Sequence, residues 1–382
     1  MAKILGIIGG GQLGMMLTEA VEKLPNEISD VIVLDPTENC PAAQVGAKQI
    51  VADFKDENAI KELASKSDII TYEIESGNSD VLKSVQKDAE VNPSPDTLRV
   101  IQDKFLQKSF LKENNIPVED FVSVDSLEDL EKKIQAYGFP VLLKARRDAY
   151  DGRGNYKINN PDEIKTAFEY FKNQPIFLEK FVDFKMEVSV IAARNTKGDI
   201  KTYPLVENLH EENILRMTIA PARVNDDISK KAEKIAYDTM KFLKGAGVFG
   251  IEMFVTQNDE VLINEIAPRV HNSGHHTLQS SDTSQFEQHL RAILGLELGS
   301  TKLQHPSIMY NILGPKDFTG EYKPITLTED NTYLKMYGKK ISKPKRKLGH
   351  FNLIGDDSIQ DIQELIDKID VLKDKIRLEP TE

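Results

Sequence analysis

The stretch Gly247–His276, GVFGIEMFVTQNDEVLINEIAPRVHNSGHH, constrains this chain more than any other. Two β-rich runs, Phe249–Thr256 and Val261–Ile266, are joined by Gln257-Asn258-Asp259-Glu260 and read as a hairpin. If a two-residue Asn258-Asp259 loop closes it, Gln257 pairs with Glu260, and the same register sets Glu252 opposite Glu265. Directly opposed Cβ atoms lie roughly 4.5–5.5 Å apart, so the carboxylates repel unless a cation sits between them. Mg²⁺, held by carboxylates and by substrate phosphates, is the natural candidate. The alternative is an exposed hairpin with both glutamates in water, or a slipped register that separates them. The apolar flanks Val248, Ile251, Phe254, Leu262 and Ile263 argue against a surface ribbon.

A length of 382 residues leads us to expect two or three domains. The formal charge of −12 argues against non-specific nucleic-acid binding over the whole surface, and makes any local cluster of cations more informative. Cys40 is the only cysteine, which precludes an internal disulfide or a Cys-based zinc site and fits a reducing cytoplasm. The opening MAKILGIIGG runs straight into a Gly turn and reads as a first strand, not a signal peptide. No apolar run approaches the ~18 residues of a membrane span. A cytoplasmic location with neither membrane nor nucleic-acid partners is expected.

Lys3–Ile8 is a buried-type strand followed by Gly9-Gly10-Gly11-Gln12-Leu13-Gly14, an apolar-striped helix, and a second strand Val31–Leu34 ending at Asp35. This matches G-x-G-x-x-G, with an acid about 20 residues further on, and taken alone proposes an NAD-dependent dehydrogenase. Such glycines also let any ligand or loop approach a helix N-terminus, and Asp35 can simply close its strand. Further strand–helix units lead to Ile69–Glu75, where Glu73 and Glu75 stand at a strand's C-terminal end; they bind a ligand there or are solvated acids. A helix is expected over 96–113, carrying Lys104, and the first domain boundary is placed near residue 100.

From Pro117 the pattern is small α+β. The strand Val141–Leu143 delivers Lys144, and the basic, Gly-containing loop through Ala149-Tyr150-Asp151-Gly152-Arg153-Gly154-Asn155 follows. Such a loop can close over polyphosphate, or be a mobile surface turn; no Walker A sequence is present. A strand at Ile176–Val182 carries Glu179, Lys180, Phe181 and Val182, and Glu187 opens the next. His210 follows in a loop, where a lone histidine is more often structural. After Asn264-Glu265 comes Ala267–His276 with three histidines; zinc is unlikely there, because the spacing is poor and no cysteine is near. Arg269 with Asn272 can bind a small oxyanion.

The tail from about residue 297 reads as a separate β-rich module, with strands at Ser307–Leu313, Thr332–Tyr337 and Leu348–Leu353 and a helix over 358–373. Its seven cations, Lys335, Lys339, Lys340, Lys343, Lys345, Arg346 and Lys347, form a solvated face, a nucleic-acid patch, or a phosphate-binding hairpin facing the central one.

Taken in order, the Gly9–Gly14 turn, Tyr150–Gly154, Glu179…Phe181…Glu187, Pro204–His210, Asn264–His275 and Arg346–His350 resemble the 5-(carboxyamino)imidazole ribonucleotide synthase family, ATP-grasp ligases of purine biosynthesis. The resemblance covers almost the whole chain. It implies an α/β and α+β multi-domain fold: a Rossmann-like N-terminal domain over 1–100 that does not bind NAD, an ATP-grasp domain over 101–296 with a mobile lid at about 117–182, and a small β-rich C-terminal domain over 297–382. It further implies ATP contacts from Lys104, Lys144, Ala149–Asn155, Glu179–Val182, Glu187, His210 and Asn264-Glu265, with Mg²⁺ on Glu252 and Glu265. Substrate contacts fall on Gln12, Glu73, Tyr150, Asp151, Arg153, Lys339, Arg346 and Lys347. The catalytic group falls on Arg269, His271, Asn272, Lys339 and Arg346, of which Arg269, His271 and Asn272 form the bicarbonate pocket. ATP, bicarbonate and aminoimidazole ribonucleotide are the implied partners, with a homodimer. Met15 stands where the family commonly carries Arg, Asn155 where Gln is common, and His276 where an aromatic is common.

A dehydrogenase explains only the first quarter of the chain. A silent nucleotide-binding homologue is expected to lack Glu252, Glu265 or Lys144, and all three are present. The nearest competitor is a formate-using ribonucleotide ligase, against which Ala267–His275 and Arg346–His350 argue.

Overall fold

The computed structural model describes residues 2–148, 154–172, 174–356, 361–376 and 378–381. The expected loop residues Ala149, Tyr150, Asp151, Gly152 and Arg153 lie outside them, as do the first residues of the terminal helix expected from 358.

The N-terminal apolar runs are buried on both faces, as strands covered by helices must be. They form a parallel sheet of β1 (Lys3–Ile8), β2 (Ile28–Leu34), β3 (Lys48–Ile50), β4 (Ile69–Tyr72) and β5 (Glu90–Val91), in the order β3-β2-β1-β4-β5. The order reverses between β1 and β4, which opens a crevice at their C-terminal ends. The Gly turn and the helix Gln12–Ala20 start there.

A second sheet, antiparallel, is built from β6 (Phe121–Val124), β7 (Val141–Ala145), β8 (Asn155–Ile158) and β9 (Ile176–Lys180), ordered β6-β9-β7-β8. The main sheet follows: β10 (Phe184–Arg194), β11 (Ile200–Thr202), β12 (Val206–Glu211), β13 (Ile214–Ala220), β14 (Gly247–Thr256) and β15 (Val261–Ala267). The C-terminal strands are β16 (Ser307–Leu313), β17 (Gly320–Glu321), β18 (Thr332–Met336), β19 (Ile341–Ser342) and β20 (Lys347–Ile354). Apart from the small β17–β19 ribbon, they do not make a sheet of their own, as the sequence reading supposed. β16 hydrogen-bonds to β13, and the order β15-β14-β10-β12-β13-β16-β20-β18 runs unbroken. A sheet edge left at β13 would expose unpaired backbone groups, and β16 covers it.

Two further expectations are corrected. The helix over 96–113 is two helices, Pro95–Gln102 and Lys104–Glu113, broken at Asp103. Asp103 takes an extended backbone, and its carboxylate accepts from the amides of Phe105 and Leu106, so it caps the second helix. Aspartate favours such a cap over a helix interior because its short side chain competes for backbone donors. In addition, the central hairpin is not closed by two residues. Thr256 pairs with Glu260 through its amide (2.9 Å), leaving a three-residue loop with Asp259 in the left-handed region (φ 61°).

One apolar cluster joins the N-terminal and main sheets. Leu5, Ile7 and Leu17 pack with Ile191, Val248, Phe286, Leu290 and Tyr337. His289 pins the same junction: the Val248 amide donates to its Nδ1 at 3.0 Å, so its Nε2–H faces Thr71 Oγ1 at 2.7 Å. Burial holds this imidazole far down, to about 3, and so neutral. The end of β4 is thereby fixed against β14.

Candidate active site

β14 and β15 place the two carboxylates. Val255↔Val261, Phe254↔Leu262 and Met253↔Ile263 follow the three-residue loop. The register then shifts, and Glu252↔Glu265, Ile251↔Ile266 and Gly250↔Ala267 follow in step. Asn264 is the extra residue of a β-bulge. The expected opposition of Glu252 and Glu265 therefore holds, but for a different reason: the bulge at Asn264 recovers what the longer loop removes.

Each carboxylate already meets a basic side chain. Glu265 Oε2 is 2.8 Å from Lys104 Nζ, at the start of the second helix after Asp103. Glu252 Oε1 is 3.0 Å from His271 Nε2. Burial acts to raise the Glu252 pKa, but the hydrogen bond from His271, with His210 and Lys104 nearby, outweighs it and brings the carboxyl down to about 2. The donor set fits a hard divalent cation: two opposed carboxylates, 30% and 37% exposed, with no thiol. Among the described residues no three or more His, Cys, Asp or Glu converge as a cage. Two protein carboxylates, with phosphate and water completing the shell, is the pattern of Mg²⁺ bound beside a nucleotide.

On the four-stranded sheet, Lys144 Nζ donates to Glu179 Oε1 at 2.6 Å, and Glu179 Oε2 lies 3.1 Å from Lys108 Nζ. Lys108 also pairs with Glu119. Lys108, Glu119 and Glu179 are at most 2% exposed, and Lys144 9%. Two lysines and two glutamates thus balance charge in a buried cluster. The sequence reading found Lys144 and Glu179 but missed Lys108 and Glu119. Lys108 stands one helical turn beyond Lys104, a spacing that puts both on one face. Lys180 is exposed; Phe181 follows the strand, with Lys157 Nζ 3.9 Å from its ring centre, and Val182 is half-buried. Asn155 opens β8 and pairs with Lys144 in register.

Asp103 ties the end of β7 to the start of the helix Lys104–Glu113. It accepts from Arg146 Nε (3.0 Å) and a terminal nitrogen (2.7 Å), and from Arg147 Nε (3.4 Å). Glu187 Oε2 and His210 Nδ1 are 2.7 Å apart. Burial works against charge on His210, but the hydrogen bond and charge of Glu187, aided by Glu252, raise its pKa above the usual histidine value.

On the other side, Arg269 reaches Glu75 Oε1 at 2.8 Å. Asn272 and Asn311 exchange amide hydrogen bonds (3.1 and 2.8 Å), so both polar atoms of Asn272 are engaged. His275 Nδ1 faces Gln285 (3.1 Å) and His276 Nδ1 faces Ser280 (2.8 Å), so the three histidines turn to different partners.

Glu73 sits against the Gly turn. It accepts from the amides of Gly11 and Gly14 (the latter 2.8 Å), at the helix end where a dinucleotide phosphate would bind. A Cβ at Gly9 would lie 2.4 Å from Glu73 Cγ, which explains the glycine there. Asp35 accepts from Gly10 (2.9 Å) and Thr37 (2.8 Å) and closes its strand.

The tail's cations divide. Lys339 Nζ donates to Gln12 Oε1 (2.6 Å) and to the Lys347 carbonyl (2.8 Å), and Lys335 pairs with Glu19. Arg346 donates to the Ile341 carbonyl (2.8 Å), while Lys345 turns to Glu212 (2.8 Å). The hairpin's Lys335 and Lys339 thus meet the helix after the Gly turn, whereas one of the three alternatives open to the sequence had it facing β14–β15. Met15 on that helix is buried.

Three family profiles match the chain: a ribonucleotide synthetase preATP-grasp domain over residues 1–102, an ATP-grasp domain over 109–286, and a phosphoribosylaminoimidazole carboxylase C-terminal domain over 307–364. The N5-carboxyaminoimidazole ribonucleotide synthase of Bacillus subtilis is 38% identical over 365 residues, spanning 96% of this chain and 95% of that one. The phosphoribosylaminoimidazole carboxylase of Schizosaccharomyces pombe is 42% identical over 93% of this chain, which spans only 65% of that relative's length. The crystal structure of N5-carboxyaminoimidazole ribonucleotide synthetase from Thermotoga maritima superimposes with a TM-score of 0.89 at 42% identity, covering 99% of this chain and 100% of that one. The opposed carboxylates, the lysines at their rim and these matches along nearly the whole chain agree: it belongs to the N5-carboxyaminoimidazole ribonucleotide synthase family of ATP-grasp ligases.

Proposed function

We propose that the chain carboxylates 5-aminoimidazole ribonucleotide with bicarbonate, cleaving ATP to ADP and phosphate by way of carboxyphosphate, as a step of purine biosynthesis. The observation that carries this reading is the Glu252–Glu265 pair, opposed on one sheet face with Lys104 and His271 on either side.

In this reading a bicarbonate oxygen attacks the γ-phosphorus of ATP and ADP leaves. Lys104 and Lys144 exchange their carboxylate partners for phosphate oxygens and offset the charge on the transferring group. Glu252 and Glu265 would hold Mg²⁺, which would supply further charge neutralisation to the phosphates. Arg269 and His271 hold bicarbonate and the carboxyphosphate formed from it. Carboxyphosphate then releases phosphate and CO₂, and the substrate amine takes up the CO₂ and loses a proton to become a carbamate. Lys339 and Arg346, with Gln12 and Lys347, bind the ribonucleotide phosphate. Asn264, Glu179–Val182, Glu187 and His210 line the nucleotide, and the Ala149–Asn155 loop excludes water. A homodimer and a cytoplasmic location belong to the same proposal; the single buried Cys40 suits a reducing compartment.

ADP release measured with ATP and Mg²⁺, with bicarbonate and aminoimidazole ribonucleotide each present or omitted, tests it. ADP formation that requires bicarbonate and rises with the ribonucleotide, with loss of the free amine, is expected. ADP formation with formate and glycinamide ribonucleotide instead would move the chain to the competing ligase, and none at all would remove the catalytic reading. Sedimentation measures the dimer.

A further inference from the structure

Behind Glu252 five polar side chains stand in single file. Thr218 Oγ1 bonds Asn208 Oδ1 (3.0 Å), Asn208 Nδ2 bonds Ser189 Oγ (2.8 Å), and Ser189 Oγ bonds Ser273 Oγ (2.8 Å). Ser273 Oγ is 2.9 Å from His271 Nδ1, whose ring delivers Nε2 to Glu252. Thr218, Ser189 and Ser273 are fully buried, and Asn208 is 5% exposed. The sheet register makes this possible: Asn208 pairs with Thr218, and Ser189 pairs with Glu252 itself, so the side chains share a face.

The file has one consistent direction. A carboxylate only accepts, so a hydrogen lies on His271 Nε2, and Nδ1 is the nitrogen left to accept. The Ser273 backbone N–H, 3.4 Å from Nδ1, is directed at the same lone pair. The Ser273 hydroxyl has a single hydrogen and directs it to Nδ1, so it must accept from Ser189. Ser189 in turn accepts from the Asn208 amide, whose carbonyl accepts from Thr218. In this arrangement each hydroxyl of the file and the bonded Asn208 amide hydrogen meet an acceptor, and buried polar groups left unmatched are costly.

We propose that Ser273, Ser189 and Asn208 are positioning residues for the carboxylation: they hold the His271 ring by its Nδ1, so that its Nε2–H faces Glu252 and the bicarbonate pocket. The proposal rests on the function above for its catalytic consequence, but not for the tautomer. Outer partners that orient a ligand-side histidine typically change activity about 10–100-fold when removed.

The test uses the full chain with ¹⁵N-labelled histidine. The wild-type His271 signals should show Nε2 protonated and Nδ1 accepting, and Ser273→Ala should keep the hydrogen on Nε2, where Glu252 holds it, while the Nδ1 signal shifts as its hydroxyl donor is lost. In the coupled assay, Ser273→Ala should lower kcat about 10-fold or more with the KM for ATP within about two-fold, and Ser189→Ala should lower it less. Thr239→Val, which removes a buried hydroxyl bonded to the Ile235 carbonyl outside the file, should leave kcat and the His271 signals unchanged. A wild-type His271 protonated on Nδ1, or a Ser273→Ala enzyme with unchanged kcat and signals, overturns the proposal. Wild-type protein that forms no carbamate overturns the function instead, while the ¹⁵N signals still decide the file.

Discussion

Glu252 and Glu265 face each other across β14 and β15 because Asn264 bulges out between the second of them and the loop. Without the bulge the three-residue loop would set Glu252 opposite Asn264 and turn Glu265 to the other face. Neither acid is needed to hold the fold, since both side chains are partly exposed at the cleft. Glu265→Gln is therefore expected to lower bicarbonate-dependent ADP release at least about 10²-fold. Its effect on stability should stay within about 0.5 kcal/mol, as for surface substitutions. Rate and thermal midpoint measured on the same preparation check both halves, and a variant of normal activity would exclude the metal-ligand assignment.

Lys108 carries the opposite expectation. It lies buried between Glu119 and Glu179, so removing its charge strands Glu119 away from water and leaves Glu179 with Lys144 alone. Lys108→Met should destabilise the protein by about 3–5 kcal/mol, read from urea unfolding. Glu119→Gln added to it should recover part of that loss, because one buried charge is then removed with its partner. A double-mutant cycle gives the coupling, and additive effects would refute the cluster.

The strands and most helices were legible because their apolar periods and caps are local. β1, β16 and the helix Glu57–Lys66 fall where those patterns put them. The break at Asp103 was not legible, since the apolar stripe runs through it and the cap serves a partner, Arg146, that is 43 residues away in sequence. The three-residue loop and the bulge were missed together, and their effects on the Glu252–Glu265 register cancel. Which sheet the tail joins depends on the free edge of β13, a long-range fact with no local signature. The Ser189–Asn208–Ser273 file was invisible for the same reason: three small polar residues on three elements acquire meaning only from register. The roles of Lys104, Lys144 and Glu187 came from family resemblance, and the structure adds which charge each one faces.

Lys339 gives a pH dependence. Burial, with Arg346 nearby, lowers its pKa from 10.5 to about 8. Below about 8 the ammonium is present to meet a substrate phosphate; above it the charge is lost. The kcat/KM for the ribonucleotide should therefore fall as pH rises through about 8, and Lys339→Gln should be weak throughout and lack that limb. Stability runs the other way. The folded value lies below the unfolded one, so between about 8 and 10.5 the unfolded chain holds more protons, and this group's contribution to stability rises with pH across that window. A pH–rate limb that persists in Lys339→Gln would assign it to another group.

Asp103 joins two roles that substitution can separate. It caps the helix Lys104–Glu113 and receives the Arg146 fork from the end of β7, in the sheet proposed as a lid. Asparagine caps helices about as well as aspartate, but it cannot match a guanidinium with two charged oxygens. Asp103→Asn should therefore keep the thermal midpoint close to that of the wild type, while raising the KM for ATP several-fold as the lid root loosens and Lys104 loses its fixed neighbour. Asp103→Ala should show the same KM change and in addition lose about 1 kcal/mol of stability from the missing cap. Equal KM values for Asp103→Asn and the wild type would mean that the Arg146 contact does not position the lid for nucleotide, and that the break in the helix serves only to aim Lys104 at Glu265.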